Sequence, residues 1–153
     1  MTRDEKYQAA QERIGYMLEE FKIGGNYTPL VRDGNQLYIS GQIPRVGDTL
    51  MLPGKVGESL TLAQAQIAAS ISALRCLGLL KQALGSLDQV KTLVRITVYV
   101  RSAEDFDQQS EVANAASDLF HEILGAAGVH TRTSVGVMQL PKSAAVEIDM
   151  IAV

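Results

Sequence analysis

From Val90 to Arg101 apolar and polar residues alternate with period two, and on either side of that run the apolar residues recur with the period of a helix. A strand throws successive side chains to opposite faces of a sheet, whereas a helix gathers positions i, i+3, i+4 and i+7 on one face. Val90, Thr92, Val94, Ile96, Val98 and Val100 are therefore expected on one face of a strand, and Lys91, Leu93, Arg95, Thr97, Tyr99 and Arg101 on the other. A strand with one dry and one mixed face needs sheet neighbours and a helical layer to cover the dry side.

The flanking segments supply that layer. Thr61-Leu-Ala-Gln64 has capping-box spacing, and Leu60, Ala63, Ile67, Ile71, Leu74 and Gly78 follow as one stripe to about Leu84, with Gly85 suited to the C-terminal cap. A second helix is expected from about Asp105 to Leu124, with Ala113, Ala116, Leu119, Phe120 and Ile123 inward and Gly125 and Gly128 ending it. Near the N-terminus Tyr7, Ala10, Ile14, Met17, Leu18 and Phe21 give a helical reading over residues 4–21, stopped by Gly24-Gly25.

Short β-type runs complete the pattern. Gln36 to Ser40 follows the turn signal Asp33-Gly34-Asn35, an extra strand is possible at Thr28–Val31, and the Pro/Gly-rich residues 44–57 read as a loop with a short edge strand near Thr49–Leu52. At the C-terminus Val135 and Val137 oppose Arg132, Ser134 and Gly136, Leu140-Pro-Lys-Ser143 forms a turn, and Val146, Ile148 and Met150 alternate with Glu147, Asp149 and Ile151. The order is β-α-β-α-β-β after a leading helix: an α+β domain whose right-handed crossovers put two helices on one face of a mixed sheet. The division expected is an N-terminal amphipathic helix over residues 1–22 and a single domain over 23–153. The other sheet face is too polar for a core and too apolar to be fully wet, which suggests subunit packing.

Bulk chemistry narrows the function. The net charge of −3 and pI near 5.4 disfavour a nucleic-acid partner, since phosphate binders carry a basic patch. One cysteine, Cys76, allows no internal disulfide, and with two histidines at no ligand spacing it makes a metal site improbable. The glycines at 24, 25, 34 and 41 form no phosphate-binding loop, so no cofactor is expected. Met1 to Glu12 is charged and unlike a secretory signal, and no stretch reads as a membrane span. The expectation is a cytoplasmic protein.

Arg132 is the residue most suited to chemistry. Beside Ser134 and Gly136, small neighbours that leave space, its planar fork suits a carboxylate; the alternative is an exposed arginine or one paired with Asp149 or Glu147. Glu147 shares a side with Arg132 only if the last two strands pair as a hairpin, where it could orient water or simply form an ion pair. Ser40-Gly41-Gln42 ends a strand and could bring backbone close to a ligand, or merely turn. Ser134 has no base beside it, so a Ser-His nucleophile is disfavoured. Lys91, Arg95 and Arg101 make a modest basic strip that is best read as solvated or as a subunit contact.

The segment Arg132-Thr-Ser-Val-Gly-Val-Met-Gln-Leu-Pro-Lys-Ser-Ala-Ala-Val-Glu-Ile-Asp-Met-Ile-Ala-Val153 resembles the closing signature of the RidA/YjgF family, also called the endoribonuclease L-PSP family. Gly34-Asn-Gln-Leu-Tyr-Ile-Ser-Gly-Gln-Ile-Pro44 and the strand Val90-Lys-Thr to Val98-Tyr-Val are similar to two further family segments. The resemblance covers residues 23–153. It implies a chorismate-mutase-like fold, a homotrimer with ligand clefts between subunits, and hydrolytic deamination of 2-imino acids such as 2-aminoacrylate to 2-keto acids. By the same resemblance Arg132 holds the substrate carboxylate, Glu147 positions the water, and Tyr27, Ser40, Gly41 and Ser134 line the pocket. Non-catalytic binding of a 2-keto acid is the alternative, with an endoribonuclease ranked last, in part because the chain offers no histidine pair. Ser134 stands where many members have cysteine, Asn26-Tyr27-Thr-Pro29 differs from the usual Gly-Pro-Tyr, and residues 125–130 are an insertion.

Overall fold

The computed structural model describes residues 1–153. Its elements are α1 (Arg3–Ile14), β1 (Leu30–Asp33), β2 (Gln36–Gln42), β3 (Arg45–Val46), β4 (Thr49–Leu50), α2 (Leu62–Leu84), β5 (Leu93–Arg101), α3 (Gln109–Leu124), β6 (Thr131–Val137) and β7 (Val146–Ala152). Five strands form one mixed sheet in the order β1-β2-β7-β5-β6, and β3 pairs with β4 as a separate small hairpin. Only β5 and β6 run parallel, joined by the α3 crossover. The helices α2 and α3 pack on each other and on one face of the sheet, as the period switch requires.

The long helix begins and ends where its caps dictate. Thr61 Oγ1 accepts from the Gln64 N–H while Gln64 Oε1 accepts from the Thr61 N–H, and Gly85 takes φ +84° at the C-cap. α2 has the length and apolarity of a membrane span, contrary to the expectation that no stretch approaches one. Most of it is buried: Leu74, Leu77 and Leu80 face the core, and Cys76, at 0 % exposure, has its thiol pushed up to about 12 by burial. α3 turns Ala113, Ala116, Leu119, Phe120 and Ile123 inward, as expected.

Three local expectations are corrected. α1 ends at Ile14, where Gly15 adopts φ +93°, not at Gly24-Gly25; Leu18 and Phe21 still pack on the core, but from irregular chain. β5 carries a bulge: Leu93 pairs with Ala152 and Arg95 with Ile151, so one extra residue intervenes. Leu93 is therefore buried and Val94 is 37 % exposed, the reverse of strict alternation, because a bulge shifts the phase of every residue before it. The third correction concerns the C-terminal strands. β6 and β7 do not form a hairpin, since β7 inserts between β2 and β5 and β5 separates it from β6.

That insertion sets the two sheet faces. Ile96, Val98 and Val100 share the helix side with Ile148 and Met150, and register places Arg132 and Ser134 of β6 on the same side. Tyr99, Glu147 and Asp149 lie on the outer face, where Tyr99 donates to Asp149 Oδ2 at 3.2 Å.

Candidate functional site

A pocket opens where β2, the start of β7 and the segment Lys22–Tyr27 converge. Glu147, Tyr27, Gly41, Gln42, Arg45 and Arg75 line it, with Lys142 at its rim and a volume of about 200 Å³. β2 is bulged here: Ile39 pairs with Met150 but Gln42 with Ile148, so Ser40 and Gly41 together stand against the single residue Asp149. The bulge turns Gln42 inward to the core and lays the Glu147 side chain across Gly41. A Cβ on Gly41 would stand 2.7 Å from Glu147 Cδ, closer than real carbon contacts allow, so glycine is needed for close approach.

Glu147 is half-buried, and none of the three ion pairs in the chain involves it. Burial, and then the charge of Asp149, raise its pKa above the ordinary value. An unpaired carboxylate with a raised pKa beside open space is what a general base for water requires. Tyr27 is exposed, with its ring against Gly25. Ser40 is adjacent: its hydroxyl donates to Pro29 O at 3.3 Å, and its carbonyl accepts from Gln42 Nε2 at 3.0 Å. The structure thus brings Tyr27, Gly41 and Glu147 into one pocket and Ser40 to its edge.

Arg132 and Ser134 lie elsewhere. Arg132 is level with Ile96 on the helix side of the edge strand β6, whereas Glu147 is level with Tyr99 on the outer face. The ion pair of Arg132 with Glu147 or Asp149, weighed on sequence alone, does not form. Its guanidinium reaches α3 instead: Nη1 donates to Asn114 Oδ1 at 2.8 Å and Ser117 Oγ at 3.1 Å, and Nη2 to Ser110 Oγ at 3.1 Å. All these partners are neutral, so the charge stays uncompensated. The space expected above Gly136 is filled, because a Cβ there would meet Gln109 Nε2 at 2.8 Å. The Ser134 hydroxyl is buried without a hydrogen-bond partner and, as expected, has no base.

A histidine pair does exist, contrary to expectation. His121 and His130 stack with ring centroids 5.5 Å apart. His130 is internally engaged: Nδ1 lies 2.6 Å from Gly128 O, which can only accept, and Nε2 lies 2.8 Å from Ser117 Oγ. A relay therefore runs from the Gly128 carbonyl through His130 and Ser117 to Arg132. Spacing concealed it because Ser117 sits on a helix and His130 on the chain entering β6.

Arg75 was also missed. It stands in the apolar run from Ala73 to Leu80 and is 2 % exposed, so a charge in a buried stripe was the available signal. Its Nε donates to Gln42 Oε1 at 3.1 Å, Nη1 to Arg45 O at 2.9 Å and Nη2 to Lys22 O at 2.8 Å.

A mixed α+β domain with α2 and α3 on one face of its sheet thus carries a glutamate-lined pocket at a bulged strand and an arginine set apart on the edge strand β6. The endoribonuclease L-PSP family matches residues 17–153, and the chain belongs to that family, the RidA/YjgF proteins it resembles in its motifs. Among relatives, Protein TCP17 of Trypanosoma cruzi is 45% identical over 125 residues, spanning 81% of this chain and 78% of that one. A 2-iminobutanoate/2-iminopropanoate deaminase of Dermatophagoides farinae is 28% identical over 130 residues, 84% of this chain and 86% of that one. The solved structure of Atu1372 from Agrobacterium tumefaciens, a protein of unknown function, superposes with TM-score 0.88 at 34% identity, covering 98% of this chain and 92% of that one.

Proposed function

We propose that this chain hydrolyses 2-imino acids to 2-keto acids and ammonia, with Glu147 handling the attacking water. The observation that carries the reading is the Glu147 carboxylate, unpaired, raised in pKa and laid over Gly41 in the pocket. As the water oxygen bonds to the imine carbon, Glu147 takes the proton that water loses and passes it to the imine nitrogen, giving a carbinolamine. Glu147 then takes the carbinolamine hydroxyl proton and returns it to the amino nitrogen as the C–N bond breaks, so that the carbonyl forms and ammonia leaves. The imine is reactive already, so orientation and modest proton transfer suffice.

Arg132 takes the α-carboxylate in this reading. Within one chain it faces away from Glu147, about three strand residues or ~10 Å along β5 from Glu147's level. A second copy must therefore bring its β6 edge to the Glu147 pocket, and a homotrimer with clefts between subunits is the assembly proposed. The free β6 edge and the mixed outer face support it. The relative named an imine deaminase supports the chemistry.

The test is ammonia release from 2-imino acids generated in situ by an amino-acid oxidase, with light scattering for the assembly. Acceleration by wild type that is lost in Arg132→Ala and Glu147→Gln is expected. Tight 2-keto acid binding without acceleration of any imine would instead make the chain a binding protein.

A further inference from the structure

The pocket has a second chemical end that water activation does not use. Arg75 forms its floor, and three of its five N–H groups are spent on Gln42 and two carbonyls, leaving one on each Nη free. No carboxylate acts on Arg75: burial lowers its pKa most, Cys76 opposes that, and the Arg45 charge lowers it further. Burying an unpaired cation beside another cation costs stability unless an anion joins it.

Two more unpaired cations meet at the same end. A Cβ on Gly24 would lie 3.1 Å from Lys142 Cε and 3.6 Å from Arg45 Nη2, so these side chains converge over one point. Neither forms an ion pair, whereas Lys22 is taken by Asp48 at 2.7 Å. Lys142 and Ser143 hold φ +60° and +64°, left-handed backbone that non-glycine residues seldom adopt. Strain of this kind persists where it aims a side chain. Glu147 lines the same pocket without pairing with any of these cations, and burial and Asp149 raise its pKa.

We propose that Arg75, Arg45 and Lys142 receive a second carboxylate of the substrate, so that the imines this chain takes are 2-imino dicarboxylates, those of acidic amino acids. This rests on the deaminase reading, in which Arg132 of another copy holds the α-carboxylate and Glu147 faces the imine carbon. A volume of about 200 Å³ suits a small metabolite, below the range of about 300–1,000 Å³ usual for drug-sized ligands.

Calorimetric titration with stable keto acids tests the floor without turnover. Wild type should bind 2-oxoglutarate and oxaloacetate about tenfold or more tighter than pyruvate and 2-oxobutyrate, the scale of one charge-assisted hydrogen bond. Arg45→Ala and Lys142→Ala should each erase most of that preference; both are rim side chains, so the outcome does not depend on whether Arg75→Gln folds. Equal affinities, no binding, or a preference kept in both variants overturns the proposal. Parallel turnover of imines from alanine and glutamate separates the two readings. Glu147-dependent turnover without a dicarboxylate preference sinks the floor alone, and a dicarboxylate preference with no turnover of either imine sinks the deaminase alone.

Discussion

The Glu147 carboxyl lies across the face of Gly41, so close that a single methyl at that position would stand 2.7 Å from Glu147 Cδ. The bulge at Ser40-Gly41 makes this possible by setting two β2 residues against Asp149. Gly41→Ala should therefore displace the carboxylate while leaving the core intact. About 10²-fold loss of kcat/KM is expected, the scale of a 1 Å misplacement. Stability in urea should change little, because the atoms displaced are the end of a flexible, half-buried side chain. An alanine variant with wild-type turnover would show that Glu147 is not the group acting on water.

Glu147→Gln removes the proposed base and should lower kcat by about 10²–10⁴-fold. Its effect on stability has the opposite sign. The folded-state pKa of Glu147 is raised, chiefly by burial, so the native state binds this proton more readily than the unfolded chain. The contribution to stability is present below the unfolded value and lost as pH rises through the folded one. At neutral pH the glutamine variant should be the more stable protein, with the gain vanishing in acid. Chemical denaturation across that range checks it, and a variant less stable at neutral pH would contradict the burial argument.

Arg132 is held by Ser110, Asn114 and Ser117 through a fork that lysine cannot reproduce. Arg132→Lys should keep the charge yet lose activity nearly as far as Arg132→Ala, by about tenfold or more for the lost charged hydrogen bonds. Light scattering should give the same assembly for both. Full activity in the lysine variant would reduce Arg132 to a diffuse charge.

His130 positions Arg132 through Ser117, and its pKa is lowered first by burial and then by His121 and Arg132, against the Gly128 hydrogen bond. A depressed histidine contributes stability that is complete above the unfolded value near 6.5 and is lost as pH falls through the folded value. Protonation also removes the acceptor for the Ser117 hydroxyl. His130→Gln, which keeps an acceptor but does not titrate, should flatten the fall in stability between about pH 7 and pH 5. Identical slopes for the two proteins would remove His130 from the relay.

Much of the local structure was legible in the chain. The Thr61–Gln64 capping box and Gly85 set both ends of α2, and the helical stripe of α3 named its buried residues, because caps and periodicity act over one or two turns. The motifs around Gly41 and Glu147 marked two residues that share a pocket. Periodicity misplaced Leu93 and Val94, since a bulge is a property of two paired strands and leaves no trace in one.

Strand order was decided only in three dimensions. That β7 enters between β2 and β5 follows from which dry faces best bury one another, a sum over contacts distant in sequence. This placement sends Arg132 to one face and Glu147 to the other, and it seats Arg75, an arginine in an otherwise apolar helix run, beneath the Glu147 pocket. The sequence by itself therefore determined the ends of α2, the buried face of α3, the presence of the strands, and two residues, Gly41 and Glu147, of one pocket. The division of Arg132 and Glu147 between two faces, and the buried cation under one of them, came from tertiary packing, because side-chain facing depends on register and neighbours that no local pattern encodes.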